Sequence, residues 1–358
     1  MGRRVLIAAV LAGLAALALG GTAQGATWKV LVGEQTKPPA GSPKGTTLNQ
    51  FFPGSLQVNA GDQVAFQSRG FHTVSYQGRG PLKWPAGFIP DPAKGTYEGI
   101  VDSAGQPFYF DGMPKFVFEV PAFAPLGPKV IAGSTAVSSG VIVPGPNGKP
   151  VTATYAFPQT GTYAILCNVH PGMRMSVAVK AAGAPVPSAQ DVARRAAAET
   201  QAAWAKAKAL AATKVPANTV YSGLGSKTTI LGFFPKELRV KAGTTVSFVT
   251  KAPSEVHNVA FGPKKYVERF SKQTEFFPMG PGGKNQVAPV HLYGTEPRGT
   301  YTYDGKNHGN GFLVTPLTDA APGGLPNVWR ITFTAPGKFH YICFLHGPDM
   351  AGDIVVTP

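Results

Sequence analysis

Only two cysteines occur in 358 residues, and each stands three positions before a histidine. They are Cys167 and His170 in LCNVHPGMRM (166–175), and Cys343 and His346 in ICFLHGPDM (342–350). Methionine follows both pairs, Met173 or Met175 in the first stretch and Met350 in the second. A further histidine lies well upstream of each, His72 in FHTVSY and His257 in VHNVAF. A thiolate with two imidazoles suits a metal of borderline softness, and a weak thioether in addition separates blue-copper electron-transfer sites from other sites. Zinc is a poorer fit, because methionine is not among its usual ligands. One C-x-x-H is a weak signal, since a structural cysteine beside a satisfied histidine gives the same string. Its recurrence with a second histidine and a methionine favours metal.

A disulfide is the other reading of two cysteines in an exported chain. Here they occupy equivalent positions in two copies of one pattern, so pairing them would require two domain ends to meet at cross-linking distance.

The elements that must position these residues are themselves repeated. FFPGSLQVNAGDQVAFQ (51–67) aligns without a gap with FFPKELRVKAGTTVSFV (233–249) at an offset of 182, and His257 falls three residues beyond the position that matches His72. YAFPQTGTYAILCNVH (155–170) aligns with ITFTAPGKFHYICFLH (331–346) at an offset of 176, matching Cys167 to Cys343 and His170 to His346. Apolar residues alternate on either side of a glycine turn, which is strand patterning with hairpin punctuation. SVAV (176–179) and DIVV (353–356) supply a closing strand in each copy. Each half therefore reads as an all-β sandwich or barrel.

Between the copies, SAQDVARRAAAETQAAWAKAKALAATK (188–214) is alanine-rich, with Ser188 and Asp191 spaced as a capping box and Pro216 beyond its end. This predicts a helix. Its few large apolar residues, Val192, Trp204 and Leu210, predict that it lies across a domain surface, as a semi-rigid spacer unless it docks. The expected division is a signal peptide at 1–26, domains at 27–182 and 216–358, and the helical linker at 183–215.

Arg3 and Arg4, the apolar run 5–20 and the small residues 21–26 read as a secretory signal, which places the mature chain in the periplasm or outside the cell. No later segment is long and apolar enough to span a membrane. The net charge of +15 leaves the mature protein strongly basic. For an exported chain this favours an acidic protein partner or an anionic surface, beside the plainer reading of a solvated basic surface. No Lys/Arg cluster interleaved with aromatics argues for nucleic acid.

Taken together, HTV or HNV after a strand pair, G-x-(Y/F)-x-x-x-C-x-x-H, and a methionine ahead of a V-x-V strand resemble the cupredoxin family, which includes plastocyanin, amicyanin and pseudoazurin. The resemblance covers both halves, although the intervals from the first histidine to the cysteine (72 to 167, and 257 to 343) exceed those of the small carriers. It implies two tandem Greek-key β-sandwiches, each with one type 1 copper cycling between Cu(I) and Cu(II). The ligands it implies are His72, Cys167 and His170 in one site, and His257, Cys343 and His346 in the other. Met350 is the axial candidate of the second site. In the first, Met173 and Met175 compete. Met173 precedes Val177 by the same four residues that separate Met350 from Ile354, whereas Met175 has the pseudoazurin-like spacing from the histidine.

An electron carrier between redox proteins is the function this implies. A copper-handling protein without electron transfer would need the same ligands. Multicopper oxidases and nitrite reductases wire a second copper centre through a histidine adjacent to the ligand cysteine, but here the neighbours are Leu166, Asn168, Ile342 and Phe344. His291, His308 and His340 remain, all in the second copy, too few for a trinuclear cluster and read as surface residues.

Overall fold

The computed structural model describes residues 25–34, 38–80, 88–90, 100–101, 107–108, 116–118, 123–272, 294–296, 301–320 and 325–358. The expected signal peptide lies almost wholly outside them, as does His291. Among the described residues no helix is long and apolar enough to cross a membrane.

Strands dominate, as the alternating pattern predicted. In the first half, apart from two small two-stranded pairs within 88–118, they are β1 (Thr27–Val32), β2 (Thr46–Leu48), β3 (Phe51–Phe52), β4 (Ser55–Asn59), β5 (Asp62–Ser68), β6 (Ser75–Tyr76), β7 (Pro125–Leu126), β8 (Val137–Ser139), β9 (Val151–Phe157), β10 (Gly161–Leu166) and β11 (Arg174–Lys180). They form one sheet in the order β9-β5-β1-β3 and another in the order β7-β8-β6-β10-β11-β4. Neighbours remote in sequence bring the distant His72 and Cys167 segments together: β10 pairs with β6 through Leu166 and Ser75. Period-two alternation fills the space between the sheets: Val64 and Phe66 of β5, Tyr155 and Phe157 of β9, and Val177 and Val179 of β11 are buried together.

The second half repeats this plan with β12 (Thr219–Gly225), β13 (Thr228–Phe234), β14 (Glu237–Lys241), β15 (Thr244–Thr250), β16 (Val256–His257), β17 (Ala260–Phe261), β18 (Tyr301–Tyr303), β19 (Leu313–Val314), β20 (Thr318–Asp319), β21 (Val328–Phe333), β22 (Gly337–Cys343) and β23 (Gly347–Thr357). Its sheets run β2-β13-β12-β15-β21-β18 and β14-β23-β22-β17-β19, with β16 paired to β20. Tyr341, Phe248, Phe261 and Phe333 form its aromatic core, with edge-on contacts at 5.4 Å between Phe248 and Tyr341 and 5.6 Å between Phe261 and Phe333.

Two features tie the halves together. Strand β2 leaves the first half and hydrogen-bonds to β13 of the second, pairing Leu48 with Thr228 and Thr46 with Ile230. The connecting helix α1 (Ala189–Ala211) begins at Ser188 with the capping box the sequence predicted. It does not lie free. Trp204, Ala196 and Ala203 pack on Leu48 and Phe52, while Val192 joins the core of the first sandwich. Glu199 accepts the Gly54 N–H at 2.7 Å, and the Ala203 carbonyl accepts the Thr228 hydroxyl at 3.3 Å, so the helix touches both halves. Its alanines explain the docking: small side chains let the helix approach both sheets closely. A second helix, α2 (Lys264–Lys272), unannounced by the strand pattern, covers one face of the second half with Val267 and Phe270 against Phe312 and Phe344.

Candidate metal centre

In both halves a hairpin carries Cys and the nearer His. In the first, β10 ends at Leu166 and the chain turns through Cys167–His170–Met173 into β11. The Cys167 N–H donates to the Met173 carbonyl at 2.9 Å and the Met173 N–H to the His170 carbonyl at 3.1 Å, closing the loop on itself. The remote His72 is delivered between β5 and β6, where its backbone exchanges two hydrogen bonds with Ile142. In the second half β16 delivers His257 beside Thr318.

The three donors then converge. Cys167 Sγ lies 3.5 Å from His170 Nδ1 and 4.0 Å from His72 Nδ1, and the two Nδ1 atoms are 3.1 Å apart. The second site repeats these distances at 3.4, 3.9 and 3.2 Å. All three donor atoms of each group lie within 4.8 Å of one another, and no other such group of His, Cys, Asp or Glu occurs among the described residues. A cation bound at about 2.0–2.3 Å to nitrogen and sulfur needs donors spaced about this far apart. The donor sets therefore fit a single metal ion each. Cys167, His72 and His170 are buried, as are Cys343 and His257, while His346 is half-buried. Both cysteines are free thiols, so the disulfide reading is excluded.

Burial by itself would push both thiols up, but the adjacent imidazoles outweigh it, and Cys167 and Cys343 are held well below the ordinary thiol range. Burial likewise opposes charge on the histidines. The thiolates win again, joined by Glu255: His170 is raised, and His346 is raised to about 10. Without metal, the thiols thus lean toward the thiolate and the nearer histidines toward the protonated ring, so a cation would compete with protons for these atoms.

The register of the closing strands separates the methionines. Val177 pairs with Leu56 and Ile354 with Leu238, residues that match in the repeat, so Met173 corresponds to Met350 and Met175 to Gly352. Met175 lies across from Ile165, and Gly352 across from Tyr341. A side chain begun at Gly352 would meet the Tyr341 hydroxyl at 2.5 Å. Ile165 and Met175 thus fill core space that the second half fills with a tyrosine ring over a glycine. Met173 and Met350 are both buried, each in the same hydrophobic core as the cysteine of its half.

Sequence reasoning missed several supporting residues. Thr73 Oγ1 accepts the Asn168 N–H at 2.6 Å, and Asn258 Oδ1 accepts the Phe344 N–H at 2.9 Å. Each ties the residue after the remote histidine to the residue after the cysteine. The Thr73 N–H also points to Cys167 Sγ at 3.3 Å. Their signal was present in HTV and HNV, two strings that share a side-chain oxygen after the histidine. Gly33 and Gly223 support the remote rings from below. At φ of 71° and 69°, they leave room where a Cβ would stand 2.2 Å from His72 Nε2 and 2.7 Å from His257 Nε2.

Glu255 is the largest omission. Its Oε1 lies 3.5 Å from His170 Nε2 and its Oε2 lies 3.6 Å from His346 Nε2, so one carboxylate sits between the two sites. Asn49 Nδ2 donates to it at 3.1 Å from the first half. Burial would raise this carboxyl, yet the contact with His346 and the charges of His170, His346 and His257 pull it down to about 2. Between Thr250 and His257 the second copy has three residues more than the first has between Ser68 and His72, and Glu255 lies on that longer loop.

The two remaining described histidines have carboxylate partners of their own. His308 Nε2 lies 2.8 Å from Glu296 Oε1 with its side chain largely covered, so it is not the surface residue the sequence suggested. His340 Nδ1 lies 3.1 Å from Asp353 Oδ1.

No family model matches the chain, and no curated protein matches it. Among solved structures, a reduced amicyanin mutant is 22% identical, with the alignment covering 41% of this chain and 89% of that one at a TM-score of 0.22. The Cu(I) form of another amicyanin mutant is 19% identical over the same shares, also at 0.22. A purple cupredoxin from Nitrosopumilus maritimus is 17% identical, covering 40% of this chain and 100% of that one at a TM-score of 0.21.

Proposed function

We propose that this chain is an exported electron carrier with two type 1 copper sites, one per domain, the domains being 27–182 and 216–358 joined by the helical segment 183–215. His72, Cys167, His170 and Met173 would hold one copper, and His257, Cys343, His346 and Met350 the other. The observation that carries the reading is the pair of congruent Cys–His–His triangles, buried, with a methionine at matching strand register in each. When bound, copper supplies a one-electron couple between Cu(I) and Cu(II).

The chain's own residues do the rest. The lowered cysteines favour the thiolate form that binds metal, and loading would compete with protons on the paired histidines, which makes it pH-dependent. Gly33, Gly223, Thr73 and Asn258 hold rings and loops in place, so that little rearrangement accompanies a change in charge. The buried setting excludes water from the sulfur. The basic charge suits acidic redox partners.

The test is the optical spectrum of the copper-loaded chain through a cycle of chemical reduction and reoxidation. An intense thiolate-to-copper band that bleaches and returns supports the carrier. A coloured adduct that cannot be reversibly reduced supports copper handling instead, and a colourless adduct sinks the blue-copper reading.

A further inference from the structure

The two sites meet through one side chain. We propose that Glu255 is a shared positioning residue that orients His170 and His346 at once, so that a residue of the second half governs metal affinity in the first. The inference rests on the metal-binding reading of both sites. Each histidine turns its Nδ1 to its own cysteine and its Nε2 to Glu255, which stands at near-equal distances of 3.5 and 3.6 Å with one oxygen toward each ring. A ring whose Nε2 carries the proton toward a carboxylate leaves its Nδ1 lone pair free for a metal. Two such rings share this carboxylate.

The carboxylate is itself held between the halves. Asn49 donates to Glu255 Oε1 and also to Ser254 Oγ at 3.2 Å, and Ser254 in turn contacts Thr229 Oγ1 at 3.2 Å and the Ser226 carbonyl at 2.8 Å. Asn49 lies between β2, which is paired into the second half, and β3, which remains in the first. The Asn49 N–H donates to the Lys227 carbonyl at 2.7 Å. The longer loop before His257 thus carries Glu255 to a point prepared by both halves. In the first copy the residue two before the histidine is Gly70, where a Cβ would lie 2.8 Å from His72 Nε2. At that position the first site carries no side chain; Glu34 of the first half adds its charge near His170, but the carboxylate that faces His170 Nε2 is Glu255, from the second.

The test uses the full chain and Co(II), whose thiolate and ligand-field bands report binding without redox chemistry. Cys343→Ser silences the second site, so that the remaining titration reads the first alone; Cys167→Ser does the converse. Adding Glu255→Ala to either background is expected to weaken Co(II) binding about 10- to 100-fold, the usual effect of losing a carboxylate behind a metal-bound histidine. Glu255→Gln keeps the volume but offers only one acceptor oxygen. It is expected to fall between wild type and Glu255→Ala, and thermal unfolding of both variants controls for folding. In the loaded Cys343→Ser chain, a slowly exchanging His170 Nε2–H resonance is expected by NMR, and its loss in Glu255→Ala separates orientation from general destabilisation. Unchanged first-site affinity in Glu255→Ala would overturn the proposal. Failure of Cys343→Ser and Cys167→Ser alike to bind Co(II) would overturn the metal-binding reading beneath it.

Discussion

Met173 stands just before β11 and Met175 within it, both are buried, and the proposed account gives them different work. Replacing Met173 by Leu removes the proposed weak axial thioether and should shift the copper reduction potential and the thiolate band. Replacing Met175 by Leu should leave both unchanged and cost less than about 1.5 kcal/mol, as volume-conserving core swaps do. Spectra and voltammetry of the two variants check this, and a shift in the Met175 variant alone would reverse the assignment. Gly33 offers a second comparison. In Gly33→Ala the added methyl falls on His72 at a positive φ, with about 1–3 kcal/mol of backbone strain. The first site should lose metal affinity while the second keeps it, as metal titration in the Cys343→Ser and Cys167→Ser backgrounds would read.

At the scale of elements, the helix α1 joins the halves rather than spacing them. Trp204 is its anchor, packed with Leu48 and Phe52 where β2 crosses into the second half. Trp204→Ala should cost about 3–5 kcal/mol, as large aromatic truncations in cores do, measured by denaturant unfolding. The strands and the two hairpins were legible in the sequence because alternation with a period of two survives any tertiary context that buries one face. The helix was legible in its alanine-rich composition and its capping box, and its lying across a surface in its few large apolar residues. That the surface belongs to both halves was not legible, because an alanine-rich face does not say which neighbours press against it. The convergence of Cys, His and His in each half was legible through repetition. Glu255 was not, because the repeat concealed it: it lies on the longer loop that breaks the alignment, and two of its partners, His170 and Asn49, come from the other half.

The whole molecule is less symmetric than its sequence repeat. Strand β2 is donated from one half to the other, and one carboxylate stands between two nearly identical sites. Repetition within the chain thus informs each site, and departures from repetition inform how they are joined. The most direct test of the central claim is EPR with copper quantification on the loaded full chain, repeated for Cys167→Ser and Cys343→Ser. The account predicts about two coppers per chain, both with the narrow hyperfine splitting of a copper–thiolate bond, and about one such copper in each variant. Three coppers per chain, or signals lacking thiolate character, would contradict it.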